Sequence, residues 1–136
     1  SLFIGGELDS ISGFDNGVKK LYSAVGARKK YLMVYEQAHH NIAPHPAPAV
    51  ALQGIEFDSG HYVEPNWDSE TIAHINEHMV LAFLNCHIKS DKASCKYLPK
   101  RENSHQATKK NGKLQKSWPG FPNKWGAGVR FIRGNP

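Results

Sequence analysis

Apolar positions fall into two short continuous runs near the start of the chain and one long helical stripe in its middle. Leu2, Phe3 and Ile4 form a run closed by Gly5 and Gly6, the pattern of a buried parallel strand that stops at a turn. From Phe14 to Ala27, the residues Phe14, Val18, Leu21, Tyr22 and Val25 recur three and four positions apart. That spacing predicts a helix with one buried face, capped by Asp15 or Asn16. Within Lys30 to Glu36, the continuous run Tyr31-Leu-Met-Val-Tyr35 predicts a second strand. Strand, helix and strand together make one right-handed crossover unit. A long helix is predicted from an Asp68 or Ser69 cap to about Lys89, with Ile72, Ile75, Met79, Phe83 and Cys86 as its buried stripe.

The segments between are weaker in pattern. Gln37 to Pro65 carries prolines at 44, 46, 48 and 65 and glycines at 54 and 60, so it reads as a loop-rich surface excursion. A short helical turn over Lys92 to Leu98 is stopped by Pro99, and residues 100–116 are polar, Lys-rich and expected to be mobile. Val129 to Arg133 reads as a strand or a docked extended segment. The expected organisation is an α/β domain over residues 1–99, a basic polar linker over 100–117 and an aromatic extension over 118–136. The sheet is expected to be partial and parallel, with one open edge that an upstream part of the protein or another chain would cover.

Composition narrows the function classes. With 40% hydrophobic and 21% charged residues the chain can bury one core. The longest nearly apolar stretch, Met79 to Leu84, falls far short of the roughly 20 residues a spanning helix requires. The chain opens directly on strand-like residues, which is the look of a domain interior and not of a secretory leader. The net charge of +5 belongs to the tail: residues 100–136 hold nine Lys or Arg against the single acid Glu102. Two cysteines, Cys86 and Cys95, allow one local disulfide or two thiols, and no four-cysteine zinc site.

Chemistry gathers at the carboxyl ends of the two predicted parallel strands, where the loops of an open sheet converge. Asp9 follows the first strand and His40 the second. A carboxylate beside an imidazole fixes its tautomer and stabilises the imidazolium formed when it accepts a nucleophile's proton. The blander readings are a turn-capping Asp9 and a loop His40 satisfied by backbone groups. No serine in the chain sits in a G-x-S-x-G elbow. Where that elbow occurs the order is Ser, then acid, then His, so the nucleophile is expected before residue 1.

The segments Leu2-Phe-Ile-Gly-Gly-Glu-Leu-Asp9, Tyr31-Leu-Met-Val-Tyr35 with Ala38-His-His-Asn41, and Trp67-Asp68 leading into Ala82-Phe-Leu84 resemble the C-terminal portion of an α/β-hydrolase of the dienelactone-hydrolase-like branch. Trp118-Pro-Gly-Phe121 is similar to that family's C-terminal extension. The resemblance implies Asp9 as triad acid and His40 as triad base, with His39 as the competitor. His40 is preferred because it directly precedes Asn41 in a small-x-His-Asn context. It further implies an esterase or lactonase acting on a small-molecule ester or lactone, with no cofactor.

Two other patterns compete. His74-Ile-Asn-Glu77-His78 matches H-x-x-E-H, in which two His one helical turn apart bind zinc and the Glu acts as base. A zinc site needs a third protein ligand, and none is evident on a second helix. The mixture of Lys116, Trp118, Lys124, Trp125 and Arg130 suits either a nucleic-acid surface or an aromatic extension docked onto its own domain, the latter being preferred.

Overall fold

In the computed structural model, the structure describes residues 1–43, 46–53, 59–100, 104–105, 109–110, 113–114, 125 and 128–133. The strands are β1 (Leu2–Gly6), β2 (Tyr31–Tyr35), β3 (Ser104–His105), β4 (Lys109–Lys110), β5 (Lys113–Leu114) and β6 (Val129–Arg133). The α-helices are α1 (Lys19–Ala24) and α2 (Ser69–His87). The principal sheet has the order β1-β2-β6-β3, while β4 and β5 form a separate two-stranded ladder.

The sheet is mixed and not wholly parallel as expected. β1 and β2 run parallel with α1 between them, but β6 lies antiparallel on the other side of β2. Strand direction is set by how the chain returns to the sheet, which the local pattern of Val129 to Arg133 does not encode. β3, inside the segment expected to be a mobile linker, pairs antiparallel with β6. Backbone pairing needs no apolar pattern in the residues that make it, so composition hid this short strand. On the far side of β1, no strand pairs among the described residues.

β2 is buried along its whole length and divides the core into two faces. On one, Tyr31, Met33 and Tyr35 join Val129 and Phe131 against Ile72, Ile75, Met79 and Ala82 of α2. On the other, Leu32 and Val34 meet Phe14 and Tyr22, with Phe3, Val18 and Ile132 packed alongside. The alternation follows from the two-residue period of a strand covered on both faces. Asp68 caps α2 as expected, its side chain accepting the Thr71 N–H at 2.7 Å.

The first helix departs from the expected Phe14 to Ala27. A π-helical turn covers Phe14–Val18, and α1 proper is only Lys19–Ala24. A π turn takes more residues per revolution than an α turn, so everything after it is rotated relative to an ideal α stripe. Tyr22 is thereby turned onto the sheet, and Leu21, expected to be buried, is 61% exposed toward the open edge of β1.

At the opposite end of the sheet, Cys86 and Cys95 form a disulfide that ties the last turn of α2 to the 3-10 turn Ser94–Tyr97. Trp125 packs against the α2 face of the core, so this part of the aromatic extension does dock on the domain. Trp118 to Phe121 lie outside the described residues. No described helix is long and apolar enough to cross a membrane.

Candidate active site

β1 and β2 end at the same level, with Gly6 opposite Tyr35. The two chains beyond them are then stitched together. Glu7 donates its N–H to the Tyr35 carbonyl at 2.9 Å and Leu8 donates to the Ala38 carbonyl at 2.7 Å. This contact requires a glycine at position 6, because a Cβ there would overlap the carbonyl oxygens of His39 and Ala38.

The stitching brings Asp9 and His40 together. His40 Nδ1 lies 3.1 Å from Oδ2 and 3.2 Å from Oδ1 of Asp9. The same carboxylate caps its own turn, since Oδ1 accepts the N–H groups of Ile11 at 2.9 Å and Ser12 at 3.0 Å. Capping and pairing with His40 are therefore two uses of one side chain. Burial pushes the Asp9 carboxyl upward, but the hydrogen bonds from His40 and from the Ser12 and Ile11 N–H groups outweigh it and hold its pKa below the ordinary value.

The pair is arranged for proton transfer outward. Asp9 is 12% exposed in its side chain and His40 is 40% exposed. A carboxylate accepting Nδ1–H leaves Nε2 of the neutral ring as the bare acceptor. Hollows of about 350 Å³ lie on two sides of His40. One, lined by Ile4, Gly5, Val18 and Leu21, wraps the open edge of β1. The other is bounded by Ile11, His39, Asn41, Val63 and Pro65. The Ser12 hydroxyl approaches the ring, but it faces Nδ1 at 3.4 Å, the nitrogen Asp9 already holds.

His39 occupies a different position. Its backbone N–H donates to Glu64 at 3.0 Å, and among the described residues its ring is paired with no acid. Sequence reasoning overlooked the residues that hold this turn. Asn41 donates to the carbonyls of Gly60 at 2.6 Å and Val63 at 2.9 Å, Asn66 to that of Gln37 at 2.7 Å, and Trp67 Nε1 to that of Glu36 at 2.8 Å. Asn76 of α2 donates to the Ile42 carbonyl at 2.7 Å and accepts from the Tyr35 hydroxyl at 2.9 Å. Arg130 pairs with Glu7 at 3.0 Å and Glu36 at 3.6 Å. Sequence offered no local signal for Glu64, which is one of several acids between Glu56 and Asp68.

The H-x-x-E-H residues are not drawn together in this way. His74 and Glu77 are exposed on α2, whereas the His78 ring lies edge-on to Tyr97 at 4.9 Å and to Trp125 at 5.2 Å. Among the described residues no three His, Cys, Asp or Glu side chains converge to hold a metal. Lys116, Trp118 and Lys124 lie outside the described residues. Neither a protein-family model, nor a curated protein, nor a solved structure matches the chain.

Proposed function

We propose that this chain supplies the acid and base of a serine-hydrolase-type esterase or lactonase of the α/β-hydrolase fold. His40 is the general base and Asp9 its orienting acid. The nucleophilic serine belongs to a segment preceding residue 1, in keeping with the order Ser, acid, His. The observation that carries the reading is the contact of His40 Nδ1 with Asp9 Oδ2 at 3.1 Å, made by two residues that each follow a parallel strand at the same sheet edge.

In this reading the substrate is a small-molecule ester or lactone. Nε2 of His40 takes the serine proton as the oxygen attacks the carbonyl carbon, and Asp9 stabilises the imidazolium. The imidazolium returns that proton to the departing alkoxide, leaving an acyl-enzyme. Water then attacks the acyl carbon with His40 again accepting the proton, and collapse releases the acid and restores the serine. The open side of β1 is where a strand of the nucleophile-bearing segment would pair. The reading calls for no cofactor.

The test is labelling of the protein in its natural length by a serine-directed phosphonate. Labelling on a serine preceding this sequence, abolished by His40→Ala, is the expected result. A natural-length protein that takes up no phosphonate while hydrolysing no ester would overturn the reading.

A further inference from the structure

A second carboxylate stands at the site, and the Asp9 and His40 pair makes no direct use of it. Glu64 follows the 3-10 turn Ser59–His61, and only 3% of its surface is exposed. Its Oε2 accepts the His39 N–H at 3.0 Å, and its Oε1 is 3.5 Å from the Asn66 N–H. Among the described residues no Lys, Arg or His forms an ion pair with it. A Glu is among the residues least often buried, and a buried carboxylate without a countercharge is retained only where hydrogen bonds hold it. What this one holds is the residue directly before His40.

We infer that Glu64 is a positioning residue that fixes the backbone of the Ala38 to His40 turn so that the His40 ring meets Asp9. The inference rests on reading Asp9 and His40 as a working pair. The turn needs an external hold, because Gln37 has φ of 60°, a conformation uncommon for a residue with a Cβ. Its two ends are gripped by carboxylates: Gln37 N–H donates to Glu7 Oε2 at 3.1 Å, and His39 N–H donates to Glu64. The two grips differ in kind. Glu7 is backed by Arg130 at 3.0 Å and is 32% exposed in its side chain, so solvent can replace it. Glu64 is enclosed, so the His39 amide loses a buried acceptor when the carboxylate is removed.

The loop carrying Glu64 is bonded to the same turn at other points. Asn41 reaches the carbonyls of Gly60 and Val63, and Asn66 reaches that of Gln37. Residues 60–67 thus form a clamp on the histidine turn, and Glu64 is its enclosed charged member.

The experiment is nitrogen–proton NMR of the histidine rings in this protein with Glu64→Gln and Glu64→Ala. In the parent, the neutral His40 ring is expected to be held as the Nδ1–H tautomer, with Nε2 in the unprotonated range. Glu64→Ala is expected to shift Nε2 toward the average of two exchanging tautomers while signals from the α2 core stay in place. Glu64→Gln keeps one carbonyl acceptor for His39 and should restore the parent tautomer in part. In the natural-length protein, Glu64→Ala is expected to lower kcat about 100-fold with little change in KM. Unaltered His40 signals in a folded Glu64→Ala protein would overturn the inference. Unfolding of both variants would overturn it too, because Glu64 would then support the whole fold. The NMR readout needs no substrate, so a tautomer shift in a protein without esterase activity would remove the hydrolase reading and leave this inference standing.

Discussion

The carbonyl of His39 rests against the Cα of Gly6, and through that contact the turn bearing His40 is seated on the end of β1. The neighbouring bond from Leu8 N–H to the Ala38 carbonyl at 2.7 Å depends on the same approach. A methyl group at position 6 has nowhere to go, since both obstructing groups are backbone.

Gly6→Ala is therefore expected to destabilise the fold by about 1–3 kcal/mol, the range for overpacking a closed site. It should also move the His40 turn. Urea unfolding gives the first quantity, and loss of the His40 to Asp9 hydrogen bond in histidine NMR gives the second. Parent-like stability would mean that the turn can shift without cost.

The two histidines should separate cleanly. His40→Ala is expected to lower turnover of the natural-length protein by about 10²–10⁴, the usual contribution of a general base. His39→Ala should change it by less than about tenfold, because the Glu64 bond is made by the His39 backbone and survives the substitution. Asp9→Asn should resemble His40→Ala in its loss, since an amide no longer favours the Nδ1–H tautomer. Steady-state kinetics on an aryl ester decide this, and equal losses at positions 39 and 40 would reverse the assignment.

Removing the disulfide with Cys86→Ala and Cys95→Ala together is expected to cost about 2–3 kcal/mol, the loop-entropy value for a short closed loop. The bridge lies at the end of α2 near Tyr31, whose ring is 5.9 Å from that of His87, and so at the opposite end of β2 from His40. The thermal midpoint should fall while the His40 ring signals stay unchanged.

His87 sets a pH window. Burial lowers its pKa, and the positive charges of Lys29 and Arg133 lower it further. A folded value below the unfolded value of about 6.5 means that the unfolded chain takes up the proton first as pH falls. The stability is complete above that value and declines as pH drops through it toward the lower folded value. Urea midpoints at about pH 7.5 and about pH 5.5 should show this loss, and His87→Phe should flatten it. A slope as steep in the variant would assign the loss to other groups.

Much of this arrangement was legible in the sequence for plain physical reasons. β1 and β2 are continuous apolar runs because both faces of the sheet are covered, and the α2 stripe keeps its period over 19 residues. Asp9 and His40 were legible because each follows one of two parallel strands. Leu21 was misplaced because a π turn leaves no mark on residue spacing. The direction of β6 depends on the path of the intervening chain, and the pairing of Cys86 with Cys95 depends on the turn after α2. Glu64 was invisible for a different reason: its role comes from meeting His39 across a loop, and nothing local distinguishes it from a solvated acid.

The central strand also fixes when the molecule becomes whole. β2 acquires its first neighbour from the residues just before it, but its second, β6, is joined through Met33 opposite Phe131, about a hundred residues downstream. Until that late strand docks, β2 presents a bare flank of five apolar residues, a template for pairing with the wrong chain. Folding speed and yield are thus expected to depend on the arrival of Val129 to Arg133, and a chain shortened before them should collect as aggregate even though Asp9, His40 and Glu64 are all present.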